Sequence, residues 1–137
     1  MTTNTPAGKT RDTGFQVGVR KTLPADLNTV WHAVVSDRGL KLWLGAGRLP
    51  DLNPGSRFRL KDGTSGEIRV HQPFSHMRVT WKPADWPRPS TIQVRIIENG
   101  EKTTLAFHQE HLPHEQARDE RKAFFKDVLE ALASELP

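Results

Sequence analysis

Apolar and polar residues alternate near the start of the chain and then change to a helical spacing. Phe15, Val17 and Val19 alternate with polar or small residues, which predicts a first strand with one apolar face. Asp26 suits the N-cap of a short helix, and Ser36 suits the cap of a second one. The two predicted helices carry apolar residues at helical intervals: Leu27, Val30, Trp31 and Val34, then Leu40, Trp43 and Leu44.

After a loop rich in glycine and proline, the chain returns to short alternating runs that are separated by turn residues. Asn99 and Gly100 form the strongest turn signal, since this pair favours a tight hairpin. The runs predict an antiparallel meander of five strands, over residues 57–60, 66–71, 76–82, 91–97 and 103–109.

The residues from 114 onward have the periodicity of one long amphipathic helix. Such a helix must bury its apolar face against the sheet. The predicted fold class is therefore α+β of the helix-grip type, a curved antiparallel sheet of about six strands wrapped on a long C-terminal helix, with two short helices after the first strand. The broad inward face of the long helix comprises Ala117, Arg121, Phe124, Phe125, Val128, Leu129, Leu132 and Leu136.

Length and composition fit one domain in a reducing compartment. The 137 residues are enough for one hydrophobic core, and we expect a flexible N-terminal segment over 1–13 and a single domain over 14–137. The chain has no cysteine, which excludes disulfides and thiolate chemistry. We see no secretory signal and no apolar run of transmembrane length, so we expect a cytoplasmic protein without a membrane span.

The net charge of +4 raises the question of a nucleic-acid partner. The basic residues are interleaved with acids, as in the run over residues 118–122, which is typical of a solvated helix face. No recognition helix, zinc finger or stacking platform accompanies the charge, so we expect no nucleic-acid binding.

Several short motifs occur in an order that is similar to a known family. The first are Ala25-Asp26 with Val30-Trp31, Ser36-Asp37 with Leu40 and Trp43, Asn53-Pro54-Gly55 before Phe58, and Gly66 leading through Pro73 to Val79-Thr80-Trp81. The later ones are Pro89-Ser90-Thr91, Gly100 with Thr103 and Leu105, and His111-Leu112-Pro113. With these motifs the chain resembles the C-terminal domain of activators of the heat-shock protein 90 ATPase, within the START/Bet v 1-like (SRPBCC) superfamily. Many relatives carry a Gly-Trp pair where this chain has Phe124-Phe125, and the larger side chain predicts a narrower cavity.

The resemblance implies a hollow between the concave sheet and the last helix, in which an apolar molecule binds. The broad rings of Trp43 and Trp81 and the adaptable thioether of Met77 favour such a pocket. The alternative is that the same side chains simply fill a core, because protein interiors are densely packed. The candidate lining residues are Trp43, Phe58, Ile68, Met77, Val79, Trp81, Ile92, Val94, Phe107, Phe125 and Leu129.

The proline-rich stretch over residues 82–89 contains a tryptophan that joins no apolar periodicity. Trp86 and Arg88 have the composition of a protein-contact hot spot, which makes them candidate partner-contact residues. Trp86 could equally fold back to cover the mouth of the cavity.

Residues that could carry chemistry are few. His108, His111 and His114 are spaced like metal ligands, but strand residues three apart point to opposite faces and the last one lies beyond Pro113, so we expect no metal. No nucleophile elbow or phosphate loop is present, and we expect no catalytic residue and no cofactor. An enzyme would need an ionisable or polar group inside the cavity, such as Glu110 or Gln109 turned inward.

The function that these observations favour is a non-enzymatic binding module for a small lipophilic or aromatic molecule, with an apolar cavity closed by the C-terminal helix. One alternative is a protein-interaction module of the heat-shock protein 90 ATPase activator type, whose outer sheet and Trp86 loop contact a protein partner. A second alternative is a small cyclase, hydrolase or ligand-sequestering resistance protein. We expect a monomer or a weak homodimer.

Overall fold

Strands and helices follow the predicted order in the computed structural model, which describes residues 9–10 and 14–136. The helices are α1 (Leu27–Val35), α2 (Asp37–Trp43) and α3 (Glu115–Glu135). The strands are β1 (Lys9–Thr10), β2 (Gly14–Leu23), β3 (Gly47–Arg48), β4 (Arg57–Leu60), β5 (Ser65–Gln72), β6 (His76–Lys82), β7 (Ser90–Asn99) and β8 (Lys102–Leu112).

The strands form one antiparallel sheet in the order β1-β2-β8-β7-β6-β5-β4-β3. The first long strand, β2, therefore lies beside the last strand, β8, and the strands between them follow as hairpin neighbours. The six predicted strands are confirmed. The two-residue strands β1 and β3 were not predicted, because two residues are too few to show an alternation. Apart from β1, the predicted flexible segment over 1–13 lies outside the described residues.

Side-chain caps start the two short helices where the sequence predicts them. The Asp26 carboxylate accepts a hydrogen bond from the Thr29 backbone N–H at 2.8 Å, and this bond lowers the pKa of Asp26. The Ser36 hydroxyl accepts from the Gly39 N–H at 3.0 Å. Gly39 lies so close to the end of α1 that a Cβ there would be 1.9 Å from the Ala33 carbonyl oxygen. The helix pair thus folds tightly back on itself.

The long helix α3 closes the concave side of the sheet. Its N-cap is His114, whose Nδ1 accepts a hydrogen bond from the Ala117 N–H at 3.0 Å. The helix lies against β2 and β8 and also touches α1 and α2. Lys21 on β2 forms a 3.0 Å ion pair with Glu130 at the edge of this packing. The fold is the predicted helix-grip, with the core between the sheet and the three helices.

Strand β6 shows how the sheet directs side chains to its two faces. Met77 and Val79 are fully buried on the helix side, while Arg78 between them is exposed. Gly66 on β5 lies under the Phe58 ring, and a Cβ there would be 2.4 Å from that ring and 2.0 Å from the Thr80 carbonyl oxygen. The absence of a side chain at Gly66 therefore lets Phe58 lie on the sheet.

Candidate functional site

The eleven side chains predicted to line a cavity are all buried, and all belong to one continuous core. Where α3 meets the sheet, their rings contact one another: Phe107 stacks on Phe125 at 5.0 Å between centroids, and Trp43 lies 5.9 Å from Phe107. Their role in binding a ligand stays a prediction. The buried set is Trp43, Phe58, Ile68, Met77, Val79, Trp81, Ile92, Val94, Phe107, Phe125 and Leu129.

The indole N–H groups of the buried Trp43 and Trp81 are both hydrogen-bonded to backbone carbonyls at the ends of α1 and α2. Trp43 Nε1 donates to the Val34 carbonyl oxygen at 3.0 Å, and Trp81 Nε1 donates to the Leu44 carbonyl oxygen at 2.9 Å. Buried indole N–H groups need such partners. Both rings are therefore rigid walls of the interior.

A cationic side chain lies inside this aromatic core. Arg121 on α3 is only 8% exposed, and its guanidinium carbon lies 4.1 Å from the centroids of both Trp81 and Phe124. The Phe125 ring is 4.8 Å away. A guanidinium in contact with aromatic faces is attracted to their negative π surfaces. The inward position of Arg121 agrees with its place on the predicted apolar face of the helix.

A chain of neutral groups holds one side of the guanidinium. Arg121 Nε donates to Gln109 Oε1 at 2.7 Å, and Gln109 Nε2 donates to Ser90 Oγ at 2.8 Å. The Ser90 hydroxyl in turn donates to the Trp81 carbonyl oxygen at 2.5 Å. Gln109 and Ser90 are fully buried, so the chain runs from α3 through β8 to β7 without meeting solvent.

The other side of the guanidinium has no partner. Arg121 Nη2 is buried and makes no hydrogen bond, and no acidic group in the part of the chain that the structure describes forms an ion pair with Arg121. Burial lowers the pKa of Arg121 to about 9, which still leaves it charged at neutral pH. The site therefore holds a desolvated positive charge with an unused donor, an arrangement that costs free energy.

Two half-buried rings form the outer part of the cluster. Trp86 packs edge-on against Trp81, with 5.6 Å between the ring centroids, and Phe124 covers Arg121 from α3 itself. Trp86 has thus folded back over the aromatic cluster, as one of the two interpretations of the sequence expected. Arg88 is exposed beside it. A partner-contact role for Trp86 and Arg88 stays a prediction.

The remaining polar candidates lie apart from one another. Gln109 does turn inward, whereas Glu110 is on the other face of β8, where it lies 3.9 Å from His111. His108 bonds Gln16 at 3.0 Å, and His114 caps α3. Among the described residues, no group of three or more His, Asp and Glu side chains has the geometry of a metal site.

The outer face of the sheet carries a second notable surface. Its register aligns Arg20, Ala106 and Arg95 across β2, β8 and β7, and the small residues Gly18 and Ala106 leave a groove of about 320 Å³ between the arginines. The described residues contain no ion pair for Arg20 or Arg95. Ile97 borders the same groove and is 43% exposed. This face is basic with an apolar margin.

None of the helices in the described ranges is both long enough and apolar enough to cross a membrane.

Comparison with solved structures shows the same fold in several proteins. CalU16 from Micromonospora echinospora matches with a TM-score of 0.74 and 24% identity, over 86% of this chain and 71% of that one. DynU16, encoded in the dynemicin biosynthetic locus, matches with a TM-score of 0.71 and 22% identity, over 87% of this chain and 46% of that one. An Hsp90 activator from Plasmodium falciparum matches with a TM-score of 0.68 and 20% identity, over 89% and 97% of the two chains.

The sequence comparison is more specific than the structural one. No curated protein matches this chain. The family model described as activator of Hsp90 ATPase homolog 1-like protein matches residues 24–136, from the turn before α1 to the end of α3. That range includes the helix pair, the meander and the long helix, and so nearly the whole described domain. The chain therefore belongs to the activator of Hsp90 ATPase homolog 1-like family, and its fold is the Bet v 1-like helix-grip of the SRPBCC superfamily.

Proposed function

We propose that this chain is a non-enzymatic binding module that holds a small lipophilic or aromatic molecule between the sheet and α3. One observation carries the proposal: an aromatic cluster between these elements surrounds a buried polar chain that ends in an unused donor, Arg121 Nη2. Small-molecule sites combine apolar walls with a few convergent polar groups in this way.

Of the predicted lining residues, the proposal gives direct contact with a ligand to Trp81 and Phe125, which flank Arg121. The other nine form the packed floor that keeps these two rings in place. Phe124 and Trp86 lie at the half-buried margin and would shift to admit a ligand. No general acid or base is needed for this function, and Glu110 lies on the outer face, away from the cluster.

The first test is native mass spectrometry of the freshly purified protein, followed by a thermal-shift screen against fatty acids, aromatic polyketides and flavonoids. A ligand that binds only the folded state raises the unfolding temperature by mass action. We expect Trp81→Ala to abolish the shift and Trp86→Ala to weaken it. The matched control is Arg95→Ala on the outer face, which should leave the shift unchanged.

The outcome depends on comparing these variants. Because Trp81 also donates to the Leu44 carbonyl oxygen, its variant is checked for folding by circular dichroism before binding is measured. Equal losses in Trp86→Ala and Arg95→Ala would contradict a site between the sheet and α3. A screen without any bound mass or thermal shift would contradict the function itself.

A second candidate function is contact with an acidic protein surface through the outer face of the sheet. It is favoured by Arg20 and Arg95, which form no ion pair with another described residue and lie beside the exposed Ile97, and by the similar fold of an Hsp90 activator. Opposite charges across an interface speed and orient association.

Calorimetric titration with a purified Hsp90 chaperone tests this second candidate. We expect the double variant Arg20→Glu/Arg95→Glu to lose binding, and Trp86→Ala to keep it. Binding that is insensitive to the double variant would show that the outer face is not the contact surface.

A further inference from the structure

The guanidinium of Arg121 is a buried charged group with an incomplete set of hydrogen-bond partners. Isolated charges are rarely buried in proteins, because desolvation costs several kcal/mol per ion and a partner normally offsets it. Here the fold supplies three aromatic rings and one amide oxygen, and none of these carries a charge. The fold therefore keeps a buried cation that it does not neutralise.

The geometry leaves one nitrogen of the guanidinium without a partner among the described residues. Gln109 Oε1 occupies the Nε side of the planar guanidinium, and the rings of Trp81 and Phe124 contact its faces. Within the described ranges, no acceptor lies within hydrogen-bond distance of Nη2. Phe124, which contacts Arg121, and Trp86, which packs on Trp81, are both half-buried.

We infer that Arg121 is the anchor for an anionic group on the ligand, so that the module selects aromatic or lipophilic acids over neutral analogues of the same shape. This inference rests on the proposed function, and it adds the chemical class of the ligand. The acid can be a carboxylate, a sulfonate or an acidic phenol or enol, since each presents an oxyanion that accepts from Nη2. The apolar body of the ligand then packs against Trp81, and the side chains of Trp86 and Phe124 move aside to make room for it.

Physical chemistry favours an anion over a neutral acceptor at this position. A charge-assisted hydrogen bond is about twice as strong as a neutral one, and it also removes the penalty of the unpaired charge. The lowered pKa of Arg121 supports the same view, because it reflects burial without a compensating negative group. The three rings exclude water, which would strengthen the interaction between Arg121 and the anion, since screening is weak in the interior.

The test uses two fluorescent dyes that share their rings. Anilinonaphthalene sulfonate carries one sulfonate, and phenylnaphthylamine has the same aromatic body without it. Both are titrated into the intact wild-type protein, and the ratio of the two dissociation constants reports the contribution of the anion. We expect Arg121→Met to weaken binding of the sulfonate dye, relative to the neutral dye, by about tenfold or more. Arg121→Lys keeps the charge and should change the ratio by less.

A matched control separates the buried charge from the general surface charge. Lys122 is the next residue on α3, is exposed, and borders a surface groove between α3 and β2. We expect Lys122→Met to change the ratio by less than about twofold, because exposed charges are screened by salt. Equal shifts in Arg121→Met and Lys122→Met would overturn the assignment of the anchor to Arg121.

Different results would contradict the preference for acids and the binding function itself. If both dyes bind the wild type and the ratio does not change in Arg121→Met, the preference for acids is wrong while the binding module stands. If neither dye binds, the proposed function fails and this inference fails with it. Should Arg121→Met not fold, the double variant Gln109→Leu/Arg121→Met replaces it, because it leaves no unpartnered group at Gln109.

Discussion

The buried chain of Ser90, Gln109 and Arg121 predicts a strongly non-additive response to mutation. The perturbation is a double-mutant cycle with Gln109→Leu, Arg121→Met and the two changes combined. Each replacement is apolar: leucine is close to glutamine in size, and methionine keeps the unbranched stem of arginine but lacks its guanidinium end. The cycle therefore removes the 2.7 Å hydrogen bond from either end or from both ends at once.

The magnitudes follow from what each variant leaves behind. Gln109→Leu leaves the Arg121 charge buried without its hydrogen-bond acceptor, which should cost about 3 kcal/mol of unfolding free energy. Arg121→Met leaves the neutral Gln109 Oε1 without a donor but removes the buried charge, so the net cost should be about 1 kcal/mol. The double variant leaves an apolar interior and should also lie within about 1 kcal/mol of the wild type. The two single losses sum to about 4 kcal/mol, so a double variant that loses about 1 kcal/mol gives a coupling of about 3 kcal/mol.

Equilibrium unfolding in urea measures these free energies. Circular dichroism follows the helices, and tryptophan fluorescence follows the four tryptophans together, of which Trp81 contacts Arg121 directly. We expect the single variant Gln109→Leu to unfold about 10 °C below the wild type in a thermal scan. Lys122→Met on the exposed face serves as the control and should change the stability by less than about 0.5 kcal/mol.

One result would refute this reasoning. If the double variant lost as much unfolding free energy as the two single variants together, Gln109 and Arg121 would act independently. The hydrogen bond between them would then contribute nothing measurable, and Arg121 would be stabilised by its aromatic contacts alone.

Three further predictions concern charge and close packing. Because burial lowers the pKa of Arg121 to about 9, well below that of a free guanidinium, the unfolded chain binds more protons above pH 9, and raising the pH relieves the buried charge. Relative to Arg121→Met, the wild type should gain about 1 kcal/mol of unfolding free energy from pH 7 to pH 10. The same change with pH in both proteins, measured by urea unfolding, would contradict this. Gly66→Ala should lower stability by about 2 kcal/mol or more, because its Cβ would meet the Thr80 carbonyl oxygen at 2.0 Å, and an unchanged denaturation midpoint would show that β5 shifts freely. Gly39→Ala should be at least as costly, since its Cβ would lie 1.9 Å from the Ala33 carbonyl oxygen, and a thermal midpoint equal to that of the wild type would be the contrary result.

Local patterns in the sequence were sufficient for the three helices and for the six strands longer than two residues. The alternation of Met77, Arg78 and Val79 predicts a strand with one buried face, and the structure has it. Asp26 and Ser36 predict two helix starts because a cap acts on the N–H groups of the next few residues. The same reasoning placed all eleven candidate cavity residues in the interior, since burial follows from which face of an element is apolar.

The polar chain in the site could only be found in three dimensions. Ser90, Gln109 and Arg121 are far apart in the sequence, and none of them carries a motif that links it to the others. Their contact depends on the register that places Gln109 opposite Ile92 and on the rotation of α3 that turns Arg121 toward the sheet. A signal was available in part, because Arg121 is the one charged residue on the predicted apolar face of the helix.

The sequence by itself determined the six longer strands, the caps of the two short helices, the long helix, the buried faces and the family of this protein. These properties depend on residues that are close along the chain or on the order of short motifs. Tertiary structure alone decided that Trp86 folds onto Trp81, that Arg20 and Arg95 share one groove, and that Arg121 keeps an unpaired amine in the core. The physical reason is that each of these contacts joins distant segments, so its geometry is set by strand register and helix packing and not by any local pattern.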